Sequence, residues 1–331
     1  MAARLNQKLK ILYILDILKK YSDEETPINA TEICEKLFSL GVTAERKSIY
    51  SDIDALIDYG YDIIKTRTPR FGYFLAEREF ELPEIYLLAD AVRSADFITP
   101  KKTRELLLKF DSLLSVNQAA KHRRTTYISA QHKGKNEEIF YNIDKINSAT
   151  EKGVKIKTTY CKRKLLPNKK IVTEEKELII SPYATLWQND HYYLVGNNEK
   201  YDNLIHLRLE RMKHIEITNI PARPFCEVSE YSDRFDVADY AAKTFNMFGG
   251  QSTEVEFRCS NDKLEQIIDR FSEEITVYKL TEKDFCFRTT VIESEGLINW
   301  ILSFGADIEV LKPQTLREKI CNRINALKEI Y

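Results

Sequence analysis

The sequence predicts a multidomain α+β protein, because the spacing of its apolar residues changes character along the 331 residues. Near the amino end they recur at helical spacing and then give way to two short strands around a basic loop. Period-two alternation dominates the middle. Residues 251–331 run strand, helix, strand, strand, helix, strand, an order that predicts a ferredoxin-like fold.

Composition sets the outer limits. With 43% hydrophobic and 31% charged residues and a net charge of −1, the chain has the makeup of a soluble protein of two or three domains. No apolar run approaches the ~20 residues that span a bilayer, and Met1-Ala-Ala-Arg-Leu-Asn lacks a signal-peptide core, so a cytoplasmic location without membrane contact is expected. Cys34, Cys161, Cys226, Cys259, Cys286 and Cys321 lie far apart, with no zinc-like spacing; all six are expected reduced, and no metal or cofactor is expected. The near-neutral charge disfavours a nonspecific polyanion binder, so charge placement has to decide.

In the first helix Leu5, Leu12, Leu15 and Leu18, with Ile11 and Ile14, recur until about Tyr21. Asn29 and Glu32 make a capping box for a second helix carrying Ile33, Leu37 and Leu40, ended by Gly41. A third helix from about Thr43 buries Ile49, Ile53, Leu56 and Ile57 and stops at Gly60. Three short helices with a Gly-bearing turn predict a helix-turn-helix. Tyr61 to Leu75 then reads as a wing, two strands around a loop, and from Ile63 to Ala76 there are three cations, Lys65, Arg67 and Arg70, and no acid.

The run Arg46-Lys47-Ser48-Ile49-Tyr50-Ser51-Asp52-Ile53 resembles the recognition helix of DeoR-type winged helices, with Ser51 where that family carries a basic residue. A recognition helix enters the major groove amino end first, which brings Arg46, Lys47, Ser48, Tyr50 and Ser51 to base edges and phosphates, with Lys65, Arg67 and Arg70 on the wing. Residues 1–75 hold eleven cations and eleven acids, so only one face can be basic.

Leu82-Pro83-Glu84 opens a helical connector with Ile85, Leu87, Leu88, Ala91 and Val92, and Pro100 separates a second helix with Leu106, Leu107, Phe110, Leu113 and Leu114. The polar stretch Gln118–Lys135 reads as a solvated linker, the alternative being contact with nucleic acid. Lys162-Arg163-Lys164 and Lys169-Lys170 read as a hairpin loop.

In the middle, Tyr192 and Leu194 are expected on one side of a strand, and His206, Arg208 and Glu210 on one face of a later strand, across the polar turn Asn197–Asn203. An imidazole and a guanidinium near tyrosines offer forks for phosphate and flat surfaces for a base. The plain alternative has Trp187, Tyr192 and Tyr193 filling a core while Arg208 and Arg211 pair with Glu210 or Glu216. A strict strand would put Arg211 opposite Arg208.

Val154–Tyr160, Pro182 with Leu186, His191-Tyr192-Tyr193-Leu194-Val195 and Arg208-Leu209-Glu210-Arg211 together resemble the WYL domain, a small Sm-like barrel of bacterial transcription regulators. Tyr192 stands where the family usually has tryptophan, and Glu210 where it has aspartate. The resemblance implies effector sensing rather than catalysis, with Arg208 and Arg211 in the effector surface. The candidate effector residues are Tyr160, Ser181, Tyr193, His206, Arg208 and Arg211.

Beyond Gly249-Gly250, Val255, Phe257 and Cys259 alternate on a strand and Leu264, Ile267, Ile268 and Phe271 lie on a helix. Strands at Ile275–Val277 and Phe285–Val291, a helix with Leu297, Ile298, Ile301 and Leu302, and a strand Ile308–Leu311 follow. A closing helix carries Leu316, Ile320, Ile324 and Leu327 after Pro313. Asn299 to Pro313 resembles the WCX extension that follows WYL domains, which implies a role in dimerisation and in lining the effector site. Trp300 reads as core.

The expected domains are a winged helix-turn-helix over 1–76, a helical connector or linker over 77–135, a WYL domain over 136–225, a linker over 226–250 and a WCX domain over 251–331. No Gly-rich phosphate loop, His-Glu-x-x-His or nucleophile elbow is present, and His191 with His206 lack a nucleophile or metal partner, so an enzyme is not expected. The expected function is a homodimeric DNA-binding transcriptional regulator, a repressor. Its hold on a double-stranded operator is controlled by a nucleotide-like or single-stranded nucleic-acid effector. The alternative is an RNA- or single-stranded-DNA-binding module without promoter control.

Overall fold

The structure, a computed structural model, describes residues 2–124, 133–232, 235–273 and 275–331, with side chains from residue 9 to residue 123 in the first of these segments. The side chains of Leu5 and Arg124 and residues 125–132 of the polar stretch therefore lie outside the described residues. The fold is mixed α/β with three antiparallel sheets, and the chain divides into two compact units, Met1–Lys135 and Asn136–Tyr331.

The first unit opens with helices α1 (Ala2–Tyr21), α2 (Ala30–Ser39) and α3 (Arg46–Tyr59). Ile14, Ile17 and Leu18 of α1 meet Ile33 and Leu37 of α2 and Ile49, Ile53 and Leu56 of α3 in one core. Each such aliphatic side chain contributes about 1.5–3 kcal/mol on burial. Leu12, Leu40 and Ile57, expected on the apolar faces, are exposed, because Ile17, Val42 and Leu56 take the inward directions. Asn29 Oδ1 accepts from the amides of Thr31 and Glu32 while Glu32 returns to the Asn29 amide, completing the capping box. Helix α3 starts at Arg46 rather than near Thr43, with Glu45 as its N-cap, and ends at Gly60, whose φ of 115° is a conformation that suits glycine.

Strands β1 (Ile63–Thr66) and β2 (Gly72–Leu75) form an antiparallel hairpin. Ile28 docks on it through paired bonds with Tyr73 of 3.0 and 2.7 Å. A Cβ at Gly72 would lie 2.9 Å from the Ile28 backbone, so this approach requires glycine.

Helices α4 (Leu82–Ser94), α5 (Pro100–Asp111) and α6 (Val116–Arg124) complete the first unit. The start of the stretch expected to be a solvated linker is thus helical, with Ala119 and His122 buried, because α6 packs its apolar side on the other helices. Arg78 clamps this part to the end of α1, donating to the carbonyls of Lys19 at 2.8 Å and Ser22 at 2.6 Å. A cation there also complements the helix dipole.

In the second unit α7 (Ile139–Glu151) precedes β3 (Val154–Leu165), β4 (Ile171–Gln188), β5 (His191–Asn197), β6 (Ile205–Arg208) and β7 (Met212–Pro221). The strand order is β6-β5-β4-β3-β7, and a single 3-10 turn, Leu209–Arg211, joins the two edge strands. Lys162, Arg163 and Lys164 sit in paired strand rather than in a loop; the turn itself is closed by Leu166 and Lys170.

A short helix α8 (Val237–Lys243) lies between this sheet and the last one, formed by β8 (Gln251–Ser260), β9 (Thr276–Leu280), β10 (Asp284–Glu293) and β11 (Ile308–Lys312). Helix α9 (Leu264–Phe271) follows β8, α10 (Glu295–Ser303) follows β10, and α11 (Gln314–Ile330) closes the chain. The strand order is β11-β8-β10-β9, every neighbour antiparallel. Trp300 is half-buried among Phe245, Phe271 and Phe304, with ring centroids 4.9–5.4 Å away. The segment 226–250 connects the two sheets and is anchored to both: Val228, Phe235, Tyr240 and Met247 are buried with Leu186, Tyr193 and Val195 on one side and Ile292 on the other.

Candidate nucleic-acid interface and effector site

Helix α3 and the β1–β2 hairpin carry the first set of candidates. Arg46, Lys47 and Ser51 are exposed on α3, Tyr50 is partly exposed with its ring 6.3 Å from that of Tyr73, and Lys65 and Arg67 are exposed on the hairpin. Lys65 Nζ lies 5.7 and 5.8 Å from the Phe71 and Tyr73 rings. None of Arg46, Lys47, Lys65 and Arg67 has an acidic ion-pair partner among the described residues, although acids equal cations in this part of the chain. Four of the acids are engaged elsewhere: Asp52 with Lys10, Glu32 with Arg70, Glu25 with Lys121 and Asp23 with Ser115. Because α3 begins at Arg46, the positive end of its dipole adds to these cations.

Two candidates are committed to the fold instead. Ser48 accepts from the largely buried Lys10 Nζ, which also pairs with Asp52 at 2.8 Å, so one side of α3 is anchored to α1. Arg70 donates to the Pro27 carbonyl at 2.8 Å and to Glu32 at 2.9 Å, tying the hairpin to the start of α2. Lys10 was not identified from the sequence, and a lysine in an apolar heptad of α1 is the only signal for it.

The second set gathers around the 3-10 turn. Register pairs Tyr193 with Arg208 across β5 and β6, and the Arg208 guanidinium lies 5.9 Å from the Tyr193 ring centroid. The Arg208 amide donates to Tyr160 Oη at 3.4 Å. Three residues later the Arg211 side chain comes near Tyr160 as well, and its charge favours the ionised phenol. A strict strand would have separated the two arginines; one 3-10 turn, with three residues per turn, returns Arg211 to the same side. Burial pushes the Tyr160 phenol up, against the opposing pull of the Arg208 amide and the Arg211 guanidinium, so the phenol stays neutral.

Neither Arg208 nor Arg211 pairs with an acid among the described residues. Glu210, which does not stay in the strand, lies instead with Oε1 2.9 Å from His191 Nδ1. Tyr193 is buried, as the core alternative had it, and so is Leu194, because both faces of β5 are covered. Ser181 is buried and accepts from the Arg223 amide at 3.0 Å, a structural task. His206 is engaged by the fold: its Nε2 meets Tyr240 Oη at 2.9 Å, and burial lowers its pKa to about 4, opposed by a backbone bond at Met247. Lys162, unassigned from the sequence, lies with its Nζ 6.0 Å from the Tyr160 ring; two residues along one strand, it shares the Tyr160 face.

Residues 141–217 match the family description of the WYL domain, and residues 251–328 match that of the WCX domain. The chain carries a WYL domain followed by a WCX domain. The 3-10 turn with Arg208 and Arg211 thus falls inside the WYL domain, and the segment that covers His206 lies between WYL and WCX. Over 338 residues the chain is 24% identical to the uncharacterized HTH-type transcriptional regulator YobV of Bacillus subtilis (strain 168), covering 98% of each. Among solved structures, proteasome accessory factor B/C (PafBC) of Arthrobacter aurescens is 13% identical with a TM-score of 0.29. The alignment covers 97% of this chain and 48% of that one, so the chain spans about half its length. The crystal structure of a CRISPR Cas-related protein is 13% identical with a TM-score of 0.37, over 100% of this chain and 86% of that chain. No helix among the described residues is long and apolar enough to cross a membrane.

Proposed function

We propose that this chain is a DNA-binding transcriptional regulator, a homodimeric repressor rather than an enzyme. Its hold on a double-stranded operator responds to a nucleotide-like or single-stranded nucleic-acid effector at the WYL domain. The observation that carries the DNA-binding part is the set of Arg46, Lys47, Lys65 and Arg67, exposed and without acidic partners, on a helix and a hairpin of one small domain. Residues 1–76 then act as a winged helix-turn-helix, with α3 in the major groove and the hairpin on the flanking backbone. The WYL–WCX pair and the relative described as a transcriptional regulator support the same reading.

An Sm-like barrel for the WYL domain is supported by a strand order in which the fifth strand neighbours the first and a 3-10 turn joins the fourth to the fifth. A ferredoxin-like WCX domain is supported by the order of its four antiparallel strands with two crossover helices. For the effector, the support is the Arg208 guanidinium over the Tyr193 ring with the Arg211 side chain nearby at Tyr160, a pair of guanidiniums without acidic partners beside an aromatic ring that suits a phosphate and a base. Effector binding is proposed to change the placement of the two reading helices of a dimer, so that half-sites a multiple of ~34 Å apart match in one state only.

A second reading, an RNA- or single-stranded-DNA-binding module without promoter control, is favoured by the β3–β4 hairpin. There Lys162, Arg163, Lys169 and Lys170 have no acidic ion-pair partner among the described residues. One experiment separates the readings. Genomic fragments are selected on the immobilised protein, and the affinity for the enriched duplex is measured with and without single-stranded oligonucleotide, in wild type and in Arg208→Ala. A sequence-specific duplex whose affinity shifts with oligonucleotide in wild type but not in Arg208→Ala is the expected result; enrichment of no duplex overturns the regulator.

A further inference from the structure

We propose that the helices α4, α5 and α6 of the first unit hold a binding site for a small amphipathic organic anion, apart from the WYL surface. A cavity of about 410 Å³ opens there, lined by Arg93, Arg104, Leu107, Leu108, His122 and Arg123 around Asp111. Its size falls in the range of small-molecule pockets, ~300–1,000 Å³. Its chemistry is lopsided. Three guanidiniums from three helices face one carboxylate, and that carboxylate is fully used: Asp111 Oδ1 meets His122 Nδ1 at 3.1 Å and Oδ2 accepts from Arg123 Nε at 2.6 Å.

The walls are fixed by a relay centred on the buried His122 and Asp111. Arg93 reaches from Asp90, at 2.6 Å, to His122 Nε2, at 2.7 Å. A guanidinium can only donate, so Nε2 is the nitrogen that accepts from Arg93 and Nδ1 is the one that faces Asp111. The His122 ring also stacks on Tyr86 at 5.2 Å. Such a shell holds guanidinium edges in place before a ligand arrives.

Arg104 is the member left over. It is exposed, its Nε donates to the Pro100 carbonyl at 3.3 Å, and it has no acidic ion-pair partner among the described residues. Leu107 and Leu108 give the cavity an apolar floor beside it. A carboxylate, sulfonate or phosphate head with a hydrocarbon or aryl body satisfies both parts; a bare inorganic ion leaves the leucines unused, and a neutral body leaves Arg104 unanswered. The site is tied to the reading domain, since α6 also carries Lys121, paired with Glu25, and Ser115 just before it bonds Asp23, both acids in the turn between α1 and α2.

The test uses the full chain and 4-phenylbutyrate as probe, with 4-phenylbutanamide and inorganic phosphate as controls, followed by calorimetry and by methyl NMR of leucine-labelled protein. Saturable one-to-one binding is expected, about tenfold or more weaker for either control. Arg104→Ala, folded by circular dichroism, should weaken the probe about fivefold or more, Arg104→Lys less, and Arg208→Ala not at all. The Leu107 and Leu108 methyls should shift with the same saturation curve. No saturable binding up to about 10 mM, equal affinity in Arg104→Ala, or shifts confined to residues 136–331 would each overturn the site.

Discussion

His206 Nε2 lies 2.9 Å from Tyr240 Oη, so the imidazole that the WYL sequence offers to a ligand is held by the segment between the two sheets of the second unit. Burial lowers this imidazole to about 4 from an ordinary value near 6.5. Between those values the unfolded chain binds the proton and the folded chain does not. The stabilisation is therefore complete above pH 6.5 and lost as pH falls toward 4, by an amount of the order of 3 kcal/mol. Thermal midpoints measured from pH 7.5 to 4.5 should fall more steeply in wild type than in His206→Asn, and parallel curves would remove His206 as the cause.

If the proposed DNA-binding role of residues 1–76 holds, duplex binding should separate the cations there into two kinds. Arg46→Ala with Lys47→Ala is expected to lower duplex affinity and reduce the salt slope by about 2, with the thermal midpoint unchanged. Arg70→Ala should instead lower the midpoint, because Arg70 holds Pro27 and Glu32. Fluorescence anisotropy across a salt series, beside differential scanning fluorimetry, checks both.

Gly72→Ala should destabilise the first unit by about 2 kcal/mol or more, since the added methyl would meet the Ile28 backbone at 2.9 Å. That corresponds to a drop of about 5 °C or more in its transition. Gly41→Ala, with nothing within 4 Å of its Cβ, serves as the strain-only control, because its φ is 77°.

Asp23 accepts from the Thr26 amide and hydroxyl and from the Ser115 hydroxyl. Burial by itself would raise its carboxyl, but these bonds outweigh it and hold the group below the usual value of 3.8. Its contribution is thus present above pH 3.8 and lost as pH falls through the depressed value. Asp23→Asn should cost about 1–2 kcal/mol at pH 7 in urea unfolding, and the difference from wild type should shrink below pH 3.8.

Periodicity and capping chemistry made much of the secondary structure legible. The Asn29–Glu32 box, the stop at Gly60, Pro83 and Pro100 near the starts of α4 and α5, and the strand and helix order after Gly250 depend on neighbours a few residues apart. Helix α7 escaped notice although Ile139, Ile146 and Ala149 keep helical spacing, because Asn142 is also buried there, satisfied by the Met212 carbonyl 70 residues on. The same holds at the arginine pair: alternation separates Arg208 from Arg211, and only the corner between β6 and β7 reunites them.

From its own residues, then, this chain determined most of its helices and strands, which positions bear cations, and the succession of a helical amino-terminal part, WYL and WCX. Local propensity and hydrophobic period suffice for that. Which polar groups remain available was decided only in three dimensions: Arg70 and Lys10 are taken up by Glu32 and Asp52 and the neutral His206 by Tyr240, while Arg46, Lys47, Arg208 and Arg211 have no acidic partner among the described residues. Charge compensation depends on distance in space, and partners such as Lys10 and Asp52 are brought together by packing, not by sequence spacing.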